Sequence, residues 1–443
     1  MTERPGAVPR RSPKGLVTMI ATGSRGDVQP QVGLGRALER AGWKIRFATH
    51  RCFESLVASA GLEFYALTGN SQRFMSGAAA AAFRDRERRV GMFQRYLKPF
   101  VRKLLEQCLS ASEGAAAILY WPPTRVGPPL SEKFGIPCFG VSTYPLPHCR
   151  TRHFPNPFAE PLSPRLERAA RWPLLRQWVN LRSWRLEEQV WRGVFEAEVA
   201  TWRRDVLGLV RPPAIDESRL HERVPHLLGY SPTVLPVPTD WPTTLHVTGY
   251  WFLDLASDWE PPEALSTFLA AGPRPVAIGF GSMVSGDDRA ATEIILEAVR
   301  RAGVRAVLMS GWGGLAGRAP EDNKDVFLID DVPHDWLFPK VAGVVHHGGS
   351  GTTAAGLRAG LPTVVVPFGF DQFLWARRLQ VLGVAPQPVP RAQLTVAGLA
   401  DRLRELVSDG GMAERARALG ERICRENGLA AAVQAFEEHM GRV

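Results

Sequence analysis

Apolar and polar positions alternate in blocks along this 443-residue chain, and the blocks predict a strand–helix rhythm. "GLVTMIAT" (15–22) is an unbroken apolar run, which reads as a buried strand. "GSRGD" follows as a turn. "PQVGLGRALERAG" reads as a helix, with Pro30 near its start and Gly42 at its end, and "KIRFATH" as the next strand. Strand, helix, strand in that order builds parallel sheets. "SLVASAGLEFYAL" adds a helix–strand pair, and "AAAILYWPP" a further strand. Between 161 and 209 the pattern becomes helical and rich in Arg and Trp. Trp184, Trp191, Phe195 and Trp202 fall at spacings of seven, four and seven, so they share one helix face. Such a stripe suits packed core, a wall for a bulky apolar acceptor, or a face resting on a membrane; the pattern leaves all three open.

"SPTVLPVPTDWPTT" (231–244) carries four prolines and predicts a linker at 236–245. After it the rhythm restarts: "PVAIGFGSM", a helix over 289–302, "RAVLMSGWGG", "DVFLIDDVP", "VAGVVHHGGSGTT" and "PTVVVPFGFDQ". From 395 to 443 the chain reads as helical. The expected organisation is a disordered basic tail at 1–14, a first doubly wound α/β domain at 15–235 and a second at 246–443. The length suits two or three domains. Ligands of such sheets sit at the carboxyl ends of strands, so both sets of loops would share one cleft.

Composition narrows the classes. Apolar residues make up 45% and charged residues 22%, as in globular chains. No apolar run reaches the roughly 18 residues of a membrane span, and the amino terminus lacks the apolar core of a secretory signal. Five cysteines without a CxxC pair point to a reducing cytoplasm and no structural zinc. The net charge of +10 comes from 47 Arg and seven Lys. These are spread without basic blocks or an interleaved aromatic ladder, which argues against a nucleic-acid partner. Attraction to an anionic nucleotide or a membrane surface remains.

The chemistry concentrates in "VVHHGGSGTT". Gly348, Gly349, Ser350 and Gly351 follow an apolar strand and open a helix at Thr352. Bare N–H groups and the helix dipole there suit a diphosphate. His347 offers a further hydrogen bond, and Ser350 and Thr352 offer hydroxyls. His346 points the other way in a regular strand. No Lys follows the glycines, so this is not a Walker-type loop. Gly349-x-Gly351-x-x-Ala354, with Asp371 further on, also matches a loose dinucleotide fingerprint. A nicotinamide-dependent oxidoreductase is therefore one alternative, and a non-catalytic nucleotide-sugar or lipid-binding protein another.

"DVPHDWLFPKVAGVVHHGGSGTTAAGLRAGLPTVVVPFGFDQFLWARRLQVLGV" resembles the nucleotide-sugar signature of the UDP-glycosyltransferase superfamily, most like its bacterial antibiotic and sterol or lipid branches. "ATGSRGDVQPQVGLGRALERAGW" resembles the same group's amino-terminal motif. The resemblance implies a GT-B fold: two Rossmann-like domains facing a cleft, acceptor on the first and donor on the second, closed by carboxy-terminal helices. It implies an inverting, metal-independent transfer of a hexose, UDP-glucose foremost, to a hydroxyl of a sterol, terpenoid, lipid or polyketide, without a cofactor. Asp27, on the loop after the first strand, becomes the base. An Asp at a helix start is also an ordinary cap, and the two roles can coexist. His347, Gly349, Ser350, Gly351 and Thr352 would hold the diphosphate, with Ser282 adding a contact. Asp371 and Gln372 would read sugar hydroxyls, and Trp312 and the backbone of Val332 would meet the nucleobase. The expected location is the cytoplasm, with peripheral contact at a membrane's inner face.

Overall fold

The structure is a computed structural model that describes residues 14–70, 98–159, 164–210, 223–255, 259–280, 288–311 and 324–442. Two wholly parallel sheets organise them. The first has seven strands: β1 (Leu16–Ile20), β2 (Lys44–His50), β3 (Glu63–Leu67), β4 (Ala117–Tyr120), β5 (Cys138–Ser142), β6 (His226–Leu228) and β7 (Leu245–Val247). Their spatial order is β3-β2-β1-β4-β5-β6-β7. The second sheet contains β8 (Val276–Gly279), β9 (Ala306–Met309), β10 (Val326–Ile329), β11 (Gly343–His346) and β12 (Thr363–Val365), in the order β10-β9-β8-β11-β12. β1, β4, β5, β8, β9 and β12 are continuous runs of apolar or small residues, and β11 departs from this only at His346, because helices cover both faces of a parallel sheet.

In each sheet the chain runs outward over three strands and then returns to the other side of the first. The order therefore reverses between β1 and β4, and again between β8 and β11. Loops leaving the carboxyl ends of strands at such a reversal form a crevice. One loop leads into helix α1 (Arg25–Arg40) and faces the second sheet. Helices α2 (Lys98–Ala111) and α3 (Pro173–Asp205) pack on each other beside the first sheet. From β11 the chain enters α4 (Ser350–Arg358), and from β12 it enters α5 (Gln372–Val381).

Three expectations are corrected. "GSRGD" is not wholly a turn: the helix begins at Arg25, so Asp27 stands in its first turn and Pro30 lies inside it. The Asp27 carboxylate accepts the Ser24 N–H at 2.8 Å, which satisfies the helix start ahead of the proline. The Pro-rich stretch is not the crossing between sheets, because β7 follows it and pairs with β6 in the first sheet. The carboxy-terminal helices do not all stay with the second sheet. Helix α6 (Gly428–Met440) returns to α1 and places Phe436 against Phe139 and Trp43, with ring centroids 4.8 and 5.2 Å away. The outward crossing after β7 and this return meet at Gly249 and Gly428. A Cβ on Gly428 would lie 2.4 Å from the Tyr250 carbonyl oxygen, and Gly249 has φ +101°. Only residues without a side chain allow this approach.

The Trp stripe is mainly core. Trp184 and Trp202 are buried beneath α3, while Phe195 reaches the interdomain cavity. The side chain of Trp191 lies outside the described residues. Among those residues no helix is long and apolar enough to cross a membrane.

Candidate active site

A cavity of about 1070 Å³ separates the two sheets, enough for a nucleotide sugar together with part of an acceptor. The first domain lines it with Gly23, Ser24, Asp27, Thr143 and Tyr144; the second with Val332, His334, His347, Gly349, Ser350, Gly351, Thr352, Asp371 and Gln372. The fold thus brings nine of the eleven sequence-selected residues to one cavity. Ser282 and Trp312 lie outside the described residues.

Both oxygens of Asp27 are held. Oδ2 accepts the backbone N–H and the hydroxyl of Ser24, at 2.8 and 2.9 Å, and Oδ1 accepts the Tyr144 phenol at 3.2 Å. Burial raises its pKa above the ordinary carboxylate value, while the Ser24 and Tyr144 hydrogen bonds pull the other way. Net, the carboxylate is a stronger base than one in water. Gly23 makes room for it: at φ +114°, a Cβ there would sit 2.6 Å from Oδ2.

Opposite stands the start of α4, which begins at Ser350, two residues earlier than the sequence suggested. Thr353 donates the helix's first bond, to the Gly349 carbonyl at 2.9 Å. The N–H groups of Ser350, Gly351 and Thr352 therefore have no acceptor within the helix and point out of its end. An anion there meets donors and the positive end of the dipole. A Cβ on Gly349 would be 2.4 Å from His347 Nε2, and one on Gly351 would be 3.8 Å from the Gly26 Cα in the first domain. The two loops thus approach backbone to backbone. Thr143 Oγ1 and Ser350 Oγ lie 2.9 Å apart and share a hydrogen bond across the cleft.

The two histidines face different ways. His346 is fully buried and its Nδ1 accepts the Gly348 N–H at 2.8 Å, which fixes the turn. His347 lines the cavity. Burial, then the neighbouring His334, pushes its pKa down to about 4, so at neutral pH it is an uncharged donor. Asp371 stands at the N-cap position of α5 but makes no capping bond with its side chain; its Oδ2 accepts the Trp375 indole N–H at 2.7 Å. Burial pushes its pKa up to about 7, with Asp27 across the cleft adding to the rise. Gln372 Oε1 accepts the N–H groups of Phe368 and Gly369, at 2.7 and 3.1 Å, leaving its NH₂ to donate. Phe370, just before them, takes φ +58°, a left-handed conformation that a bulky residue adopts only under constraint.

Val332 is buried at the cavity edge. The Gly349-x-Gly351-x-x-Ala354 fingerprint follows the fourth strand of its sheet in chain order, whereas a dinucleotide site uses the first βα turn. Tyr144, Thr143 and His334 escaped the sequence reading. Tyr144 and Thr143 follow β5, a strand the pattern did not announce, and His334 opens a helix of four residues. Phe100, Leu104, Trp121, Phe158 and Phe195 give the first domain's side an apolar wall.

Two parallel-sheet domains with an acidic side chain and a bare helix start facing one another define the GT-B class of glycosyltransferase. Solved structures agree on the fold. The glycotransferase of kitacinnamycin superposes with a TM-score of 0.69 at 22% identity, over 97% of this chain and 99% of that one. The glycosyltransferase SnogD from Streptomyces nogalater gives 0.61 at 21%, over 96% and 99%. Residues 17–147 match the glycosyltransferase family 28 N-terminal domain, and 317–436 the erythromycin biosynthesis protein CIII-like C-terminal domain. Two sterol 3-beta-glucosyltransferases of Arabidopsis thaliana are 36% and 35% identical over 97% and 96% of this chain, which spans 69% and 65% of their own lengths. One from Yarrowia lipolytica is 35% identical over 98% of this chain, which spans 29% of it. The chain belongs to the UDP-glycosyltransferase superfamily, alongside the sterol 3-beta-glucosyltransferases.

Proposed function

We propose that this protein transfers a hexose from a nucleotide diphosphate sugar, UDP-glucose foremost, to a hydroxyl of a lipophilic acceptor: a sterol, terpenoid, lipid or polyketide. The observation that carries the reading is the placement of Asp27 and the start of α4 on opposite sides of one cavity whose first-domain wall is apolar. Similarity to sterol glucosyltransferases supports the lipophilic acceptor.

In this reading the acceptor lies against Phe100, Phe158 and Phe195 with its hydroxyl at Asp27 Oδ1. The hydroxyl proton passes to Asp27 as its oxygen forms a bond to the anomeric carbon. The bond from that carbon to the diphosphate oxygen breaks on the far side, and its electron pair leaves with the diphosphate. A single displacement inverts the anomeric centre. The Ser350, Gly351 and Thr352 N–H groups and neutral His347 stabilise the departing charge, so the step needs no metal ion. Asp371 and the Gln372 NH₂ hold sugar hydroxyls, and the Val332 backbone meets the nucleobase. Free cysteines and lipophilic acceptors are consistent with work in the cytoplasm beside a membrane.

The test is incubation with UDP-glucose and a panel of sterols, terpenoids and polyketides, followed by mass spectrometry and assignment of the product's anomeric configuration. A β-glucoside is expected from the α-linked donor. UDP binding without product on any acceptor would favour a binding protein instead.

A further inference from the structure

The amino-terminal end of α3 presents a surface that the cavity does not use. Trp172, Leu174, Leu175 and Trp178 are 70, 82, 48 and 58% exposed, and Leu166 on the preceding helix (Pro164–Ala169) is 37% exposed. A surface helix ordinarily turns such residues inward. This one cannot, because the helix is pinned just beyond them, at Asn180, Ser183 and Trp184. Asn180 Nδ2 donates to the Arg152 carbonyl at 2.8 Å, the Asn156 N–H donates to Ser183 Oγ at 2.8 Å, and Trp184 Nε1 donates to the Phe154 carbonyl at 3.0 Å. Residues 171–178 are consequently exposed without a break.

The charges around these side chains are predominantly positive. Arg165, Arg168, Arg171, Arg176 and Arg182 are exposed in the stretch 164–182, against Glu167 as its sole acid. The Arg182 guanidinium lies 6.0 Å from the Trp178 ring centre. We infer that this face docks on the headgroup layer of an anionic lipid bilayer. Tryptophans settle at the boundary between acyl chains and headgroups, leucines enter the acyl region, and arginines pair with lipid phosphates. A second copy of the chain fits less well, since a two-fold contact would set the same arginines against each other. The inference locates the membrane contact proposed above, and its test does not require sugar transfer. Phe195 lies further along the same helix, so docking would hold the acceptor wall in fixed relation to the lipid surface.

The experiment is flotation of the full chain with vesicles of phosphatidylcholine alone or mixed with phosphatidylglycerol. Binding is expected to the anionic vesicles and to weaken with added salt. The double variant W172A/W178A should bind at least about tenfold more weakly. R171Q/R176Q should lose the preference for anionic lipid. Both should keep the wild-type melting temperature and transfer rate on detergent-dispersed acceptor. Equal flotation of wild type and W172A/W178A, or no flotation of wild type, overturns the inference. So does a wild-type dimer in sedimentation velocity that W172A/W178A dissociates. Intact transfer to dispersed acceptor without flotation would leave the glycosyltransferase reading standing and remove the membrane face alone.

Discussion

Asp27 has three hydrogen bonds on its carboxylate before any acceptor arrives, so its position does not depend on substrate. Asp27→Asn keeps the shape and removes the base; turnover should fall about a thousandfold, while UDP affinity measured by calorimetry stays unchanged. Tyr144→Phe removes the donor to Oδ1. That hydrogen bond lowers the Asp27 pKa, so the acid limb of the pH–rate profile should move upward and kcat fall about tenfold. Asp371 yields a stability prediction. Its pKa is about 7 in the folded protein against 3.8 ordinarily. Between these values the folded state holds a proton that the unfolded chain has released, so stability falls as pH rises through this window. In denaturant unfolding at pH 8, Asp371→Asn should be more stable than wild type by at most about 4 kcal/mol, and the difference should vanish below pH 4. At this scale Asp27 and the His347–Thr352 loop were legible because each forms a compact motif. Tyr144 was not, because only the fold brings it from over a hundred positions away to Asp27.

At the scale of elements, the turn into α4 depends on two glycines: Gly348 takes φ +91°, and Gly349 has no room for a side chain beside His347. Gly349→Ala would force its Cβ onto the His347 ring; the KM for the sugar donor should rise at least about tenfold, with the melting temperature moving less. The strand–helix rhythm of both sheets was readable because buried parallel strands are continuous apolar runs. β6 and β7 were missed because three residues show neither a run nor a period. The prolines before β7 looked like a domain boundary, yet they only shape the approach to an edge strand. The return of α6 was hidden for another reason: an amphipathic helix does not say which sheet receives its apolar face. Phe436→Ala should cost about 3–5 kcal/mol, measured by denaturant unfolding, because that ring fills a gap in the first domain's core.

For the whole molecule, the cleft is where the halves touch and where the chemistry is proposed. Arg25 reaches Asp331 at 3.0 Å, and Arg358 pairs with Asp254. These exposed pairs weaken with salt and contribute little to holding the halves together. The double crossing at Gly249 and Gly428 has the larger effect. Because the last helix is lodged in the core of the opposite half, a protease that nicks the chain once between β7 and β8 should release nothing. The two fragments should co-elute in native size-exclusion chromatography and part only in denaturant. The tail end of the polypeptide acts as a clasp, so either half alone is an incomplete folding unit.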